Sequence, residues 1–150
     1  MTAHPGAAER SLAQGHLTGS AWLVSKDGKR VLLTHHRKLD RWLQLGGHAD
    51  GDVDLARTAL REAQEESGLP DLVGEAAIFD LDRHPIPAHG DEPAHWHYDV
   101  RFVVRATGSE TFALSDESHA LAWRDIGTLA HDASADESLR RMARKWRARG

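Results

Sequence analysis

LGGHADGDVDLARTALREAQEESGL, residues 45–69, joins a glycine pair, a short acidic loop and a helix dense in carboxylates. At about 100° per residue, Leu55, Ala56, Ala59, Leu60 and Ala63 fall on one apolar stripe. Asp54 stands before that stripe as an N-cap, and Gly68 with Pro70 beyond it closes the segment, so the spacing predicts a helix over 54–67. Glu62, Glu65 and Glu66 recur at spacings of three and four along one edge of the stripe. Like charges so placed repel by a few tenths of a kcal/mol per pair. An ordinary solvated helix face is one reading of EAQEE taken alone. A hard divalent cation is the other, because Mg²⁺ favours carboxylate oxygens, water and substrate phosphates.

The flanks supply a sheet. TGSAWLVS (18–25) and RVLLTH (30–35) are β-rich runs around KDGK, whose Asp27-Gly28 suits a tight hairpin turn. A basic segment, HHRKLDR (35–41), leads to a short strand WLQL (42–45) and the loop 46–53. After the helix, LVGEAAIFDLDR (72–83) reads as a strand and HPIPAHGDEPA (84–94) as a loop. HWHYDVRFVVRA (95–106) alternates as a long strand with Trp96, Tyr98, Val100, Phe102 and Val104 on one face. HALAWRDI (119–126) is a further strand. In the tail 135–150, Leu139, Met142, Ala143 and Trp146 recur at helical spacing on a basic amphipathic helix. Residues 1–15 read as a loose or helical leader. The pattern is one domain over 1–150, a mixed sheet with two or more helices, in the α/β (α+β) class.

Composition narrows the function. The chain is 40% hydrophobic and 28% charged, as a globular protein is, and its net charge of −4 argues against general nucleic-acid binding. An anionic substrate therefore needs a metal or a few placed cations. Cysteine is absent, which excludes disulfides, thiolate metal sites and cysteine nucleophiles. No secretory signal opens the sequence and no run of about 18 apolar residues spans a membrane, so the expected location is cytoplasmic.

The stretch resembles the Nudix box, G-x5-E-x7-R-E-U-x-E-E-x-G-U, where U is a bulky aliphatic. With Gly47 as the first position, Arg61-Glu62, Glu65-Glu66 and Gly68-Leu69 all match without a gap over 23 residues. Two positions depart: the early glutamate falls on Val53 and the first U on Ala63. A shifted loop lets Asp52 stand in for that glutamate, with Asp50 and Asp54 as the alternatives. The resemblance implies a Nudix-type α/β/α sandwich with a mixed sheet.

It also implies hydrolysis of a nucleoside diphosphate linked to another group, with Mg²⁺ or Mn²⁺ as cofactor. Carried over position by position, Glu62, Glu65 and Glu66 become metal ligands together with the Gly46 carbonyl. Arg61 orients Glu62 by an ion pair and offsets the crowding of charge. Glu62 is the first choice for the base that activates water, and Glu117, in SDESHALAW, is the candidate outside the box, with a plain surface glutamate as its alternative.

Arg37, Lys38 or Arg41 are set against substrate phosphates, with a solvated inter-strand loop as the alternative. His48 and Asp52 are further substrate-binding candidates. Trp42 and Trp96 either stack on a base or belong to the core. His84, His89, His95 and His97 raise a transition-metal site, which needs further ligands such as Asp82; packing or substrate contact is the other reading.

Pro85, 16 residues after Leu69, is a feature of ADP-ribose-type members of the family. No coenzyme A signature precedes the box, and the missing cysteine excludes the isoprenoid isomerase of the same fold. Two function classes remain: a pyrophosphohydrolase acting on a small nucleotide, and a catalytically silent domain that binds one. The three surviving glutamates favour the enzyme. A homodimer is compatible with the family.

Overall fold

The computed structural model describes residues 15–36, 40–49, 51, 53–88, 90–91, 93–113 and 120–149. Six strands form one mixed sheet: β1 (Gly15–Val24), β2 (Arg30–His36), β3 (Arg41–His48), β4 (Leu72–Ile86), β5 (His95–Ala106) and β6 (Leu121–Asp125). Their order is β4-β5-β1-β3-β2-β6. The β1–β5 pair is parallel, and the other pairs are antiparallel. Helix α1 (Leu55–Ser67) covers one face, and α2 (Ile126–Leu129) with α3 (Glu137–Ala148) covers the other. The sandwich expected from the sequence is the one observed.

Apolar residues on both sides of the central strands hold the layers together. Ala21 and Leu23 of β1 join Leu45, Phe102 and Val104 under Ala59 and Ala63 of α1. Trp22 and Val24, pointing the other way, join Val31, Leu33 and Val103 under Leu129, Leu139, Met142 and Ala143. A strand buried on both faces reads as a continuous apolar run, as AWLV does. At about 25 cal/mol per Å² of apolar surface, these two cores supply most of the drive to fold.

Several boundaries differ from the expected ones. β3 continues through Gly46 and Gly47 to His48, because these residues pair with Ser20, Gly19 and Thr18 of β1. β4 continues to Ile86, since His84, Pro85 and Ile86 pair with His97, Trp96 and His95. The strand expected at 119–126 ends at Asp125, where Asp125 accepts from the Thr128 amide and caps α2. On β5, Val100, Phe102 and Val104 share the core as expected, while Trp96 is 38% exposed. Among the described residues no helix is long and apolar enough to cross a membrane.

Candidate active site

Helix α1 is defined by its two ends. The Asp54 carboxylate accepts from the Arg57 amide at 3.1 Å, satisfying one of the open N–H groups of the first turn. Gly68 adopts φ 69° and donates its amide to the Gln64 carbonyl, a left-handed cap that suits glycine. Ala59 and Ala63 are fully buried, and small side chains there let the helix lie close on the sheet. Ala63, one departure from the box pattern, is thus a packing residue.

The carboxylate edge of α1 meets the end of β3. The Gly46 amide donates to Glu66 Oε1 at 3.1 Å. A Cβ added to Gly47 would stand 2.5 Å from the Glu62 carboxyl carbon, so a larger residue there would push that carboxylate aside. Arg61 approaches Glu62 with 3.8 Å between nitrogen and oxygen, an ion pair longer than a hydrogen bond. Glu65, on the same edge, is exposed. The result is two carboxylates drawn to one backbone corner and a third beside them.

Carboxylate and backbone carbonyl oxygens are the donors a hard divalent cation takes, so the residues present fit Mg²⁺ or Mn²⁺. Among the described residues, no three histidine, aspartate or glutamate side chains form a ready-made metal cage. Mg²⁺ keeps several waters and completes its shell with substrate phosphates, so this open corner is adequate for it.

The other candidates are dispersed. Arg37, Lys38, Asp50, Asp52 and Glu117 lie outside the described residues. Arg41 pairs with Asp136 at 3.3 Å, beside the start of α3. It sits at the far end of β3 from Gly46, about 17 Å away at strand spacing. His48 directly follows Gly47 but points to the opposite sheet face, 5.7 Å from the His97 ring. Trp42 is half-buried against the α3-side core, and Trp96 lies under the Arg83 guanidinium at 4.8 Å.

The histidines do gather. The rings of His84 and His95 each stand 5.4 Å from that of His97. Among the described residues they do not join other ligands in a metal-binding group, and His89 lies outside those residues. Asp82, the suggested further ligand, is committed to Arg101 and Arg141 at 3.4 Å each.

A buried ionic network on that same face went unpredicted. Arg101 donates to Asp99 at 2.8 Å and to Asp80 at 3.1 Å, and Asp80 also binds Arg141 and Lys145 of α3. Thr18, Ser20 and Gln44 complete the shell of Asp99. Burial alone would raise the Asp80 carboxyl, but hydrogen bonds from Arg141 and Lys145 and the charges of Arg141 and Arg101 hold it below the usual carboxylate range. The signal was present in FDLD and YDVR, where charges interrupt apolar strands at period two. The network clamps α3 to β4 and β5.

A model of the NUDIX domain family matches residues 16–146. No curated protein sequence matches the chain. Among solved structures, a NUDIX-family hydrolase from Clostridium perfringens is 24% identical, with a TM-score of 0.67 over 90% of this chain and 98% of its own. An Ap4A hydrolase from C. elegans is 18% identical, with a TM-score of 0.66 over 89% and 96%. The E. coli dihydroneopterin triphosphate pyrophosphohydrolase is 17% identical, with a TM-score of 0.69 over 89% and 96%. At these identities the likeness is one of fold.

Proposed function

The chain belongs to the Nudix family, and from that premise we propose that it hydrolyses a pyrophosphate bond in a nucleoside diphosphate linked to another group, with Mg²⁺ or Mn²⁺. The observation that carries this reading is the corner where Glu62 abuts Gly47 and Glu66 accepts from the Gly46 amide. Glu62, Glu65 and Glu66, with the Gly46 carbonyl, would hold the cation. When bound, it neutralises phosphate oxygens and makes water more acidic.

The remaining roles fall to side chains. Glu62 receives the proton of the attacking water on its carboxylate, and Arg61 keeps that carboxylate oriented toward the corner. The water oxygen bonds to one phosphorus as the bridging P–O bond breaks, and the leaving phosphate keeps the electron pair. Two phosphorylated products result from each turnover. Glu117 is the second candidate for the base.

The names of two structural neighbours, an Ap4A hydrolase and a dihydroneopterin triphosphate pyrophosphohydrolase, are consistent with this reaction class. Product analysis after incubation with nucleoside triphosphates, ADP-ribose, nucleotide sugars and dinucleoside polyphosphates tests it. Cleavage between two phosphates in any of them supports the enzyme. Absence of turnover with either metal assigns the chain to nucleotide binding instead.

A further inference from the structure

Gly46 lies in a part of β3 that its neighbouring strand holds by packing and not by backbone hydrogen bonds. Antiparallel strands alternate between residue pairs that exchange backbone bonds and closer pairs that exchange none. The Ala49 amide donates to the Leu17 carbonyl at 3.2 Å, which makes Leu17–Ala49 a bonded pair. Along the register, Gly19–Gly47 and Ala21–Leu45 are then bonded pairs, and Ser20–Gly46 is a close, unbonded one. Both polar groups of Gly46 therefore point away from β1. The amide reaches Glu66 Oε1 at 3.1 Å, and the carbonyl opens to the same side.

We infer that Asp99 is a positioning residue for this corner, acting through Ser20 from the opposite face of the sheet. The inference rests on the proposed pyrophosphohydrolase reading and adds what holds the Gly46 carbonyl where the cation would meet it. Asp99 and Arg101 alternate along β5 with Val100 and Phe102 of the α1-side core, so they lie on the α3 side with Val103. The buried Asp99 carboxylate accepts four hydrogen bonds. Its Oδ1 takes the hydroxyls of Thr18 at 2.7 Å and Ser20 at 2.6 Å. Its Oδ2 takes the Gln44 side-chain amide at 3.1 Å and Arg101 Nε at 2.8 Å. One carboxylate thus ties β1, β3 and β5 together behind Gly46.

A glycine has no side chain with which to fix its own backbone. Ser20 does so for Gly46. A Cβ built on Gly46 would strike the Ser20 hydroxyl oxygen and stand 2.8 Å from the Ser20 Cα, so the two strands approach as only a glycine allows. The bond to Asp99 orients the Ser20 hydroxyl and keeps its oxygen against Gly46. Thr18 gives the same carboxylate oxygen an equivalent bond, but it pairs with His48, two residues further along β3.

The buried ionic network therefore has two ends. At one, Asp80 binds Arg101, Arg141 and Lys145 and secures α3. At the other, Asp99 binds the same Arg101 and steadies the strand that carries the carbonyl. Groups that orient a metal ligand without touching the metal commonly change its affinity by about 10–100-fold when they are removed.

Mn²⁺ alone, titrated into the full chain and followed by loss of the free-ion electron paramagnetic resonance signal, tests this without substrate. Ser20→Ala is expected to weaken Mn²⁺ binding about tenfold. Thr18→Val, which removes a hydroxyl from the same Asp99 oxygen, is expected to stay within about twofold of the wild type. Asp99→Asn is expected to weaken binding about tenfold or more, with an unchanged circular dichroism spectrum. Should Asp99→Asn not fold, Ser20→Ala and Thr18→Val decide between them. Wild-type affinity in Ser20→Ala or in folded Asp99→Asn overturns the inference and leaves the proposed reaction standing. Equal losses in Ser20→Ala and Thr18→Val do the same, since the network then acts only on the fold. A wild type that binds no Mn²⁺ overturns the cation corner itself, and the inference with it.

Discussion

The carboxyl group of Glu62 fills the space beside Gly47 where a side chain would begin: a single methyl group at that glycine would come within 2.5 Å of the carboxyl carbon. The contact fixes where α1 presents its acid to the end of β3. Gly47→Ala should displace the carboxylate while leaving both cores intact. Turnover is expected to fall about 100-fold, the usual consequence of an ångström of misplacement, with an unchanged circular dichroism spectrum. A variant as active as the wild type would show that Glu62 works from another position.

Glu66→Gln separates chemistry from folding. The amide keeps the volume, and its oxygen still accepts from the Gly46 amide, but the charge is gone. Activity should drop about 100-fold or more, as for loss of one electrostatic group at a reacting centre. The metal-free protein, relieved of one like-charge pair, should be as stable or more so by a few tenths of a kcal/mol. A thermal melt and a rate measurement on the same sample check both halves.

Much of this was legible in residues 45–69. The spacing of Glu62, Glu65 and Glu66, the Asp54 cap and the Gly68 end all follow from helix geometry, and each stands where the sequence put it. The strand content of Gly46 and Gly47 was not legible, because a glycine pair reads locally as a loop. Only its partner strand, carrying Gly19 and Ser20, turns it into β3. The Arg101–Asp80 clamp was hidden for a related reason: it joins three separate segments, and no local pattern reports which strands become neighbours.

Asp80→Asn should be strongly destabilising. It removes one of the charges that balance the buried Arg101, which keeps Asp99 and Asp82, and the charge that Arg141 and Lys145 share. Removing one partner of a buried ion pair costs about 3–5 kcal/mol, which a urea titration will read directly.

The same carboxylate sets an acid limit. Asp80 titrates below the ordinary value in the folded protein, so its contribution is complete above about pH 4. It disappears as pH falls through the lower, folded-state value. Stability of the wild type should therefore decline below about pH 4, and the decline should be shallower in Asp80→Asn. Parallel acid profiles for the two proteins would contradict this assignment.

Asp54→Ala removes the N-cap of α1 without touching a core residue. Helix caps are worth about 1 kcal/mol. A loss of that size in denaturant titration is expected; no loss would mean that the first turn of α1 is held by the sheet alone.

Titration of hydrolysis against Mg²⁺ and Mn²⁺, for the wild type and Glu66→Gln together, bears most directly on the carboxylate corner. The wild type should be inactive in chelator and gain activity saturably with either cation, cleaving between two phosphates. Glu66→Gln should need about tenfold more metal for half-activation and reach a lower plateau, as expected when a ligand charge is removed. Superimposable metal curves for the two proteins, or full activity in chelator, would contradict the assignment of this corner to a catalytic cation.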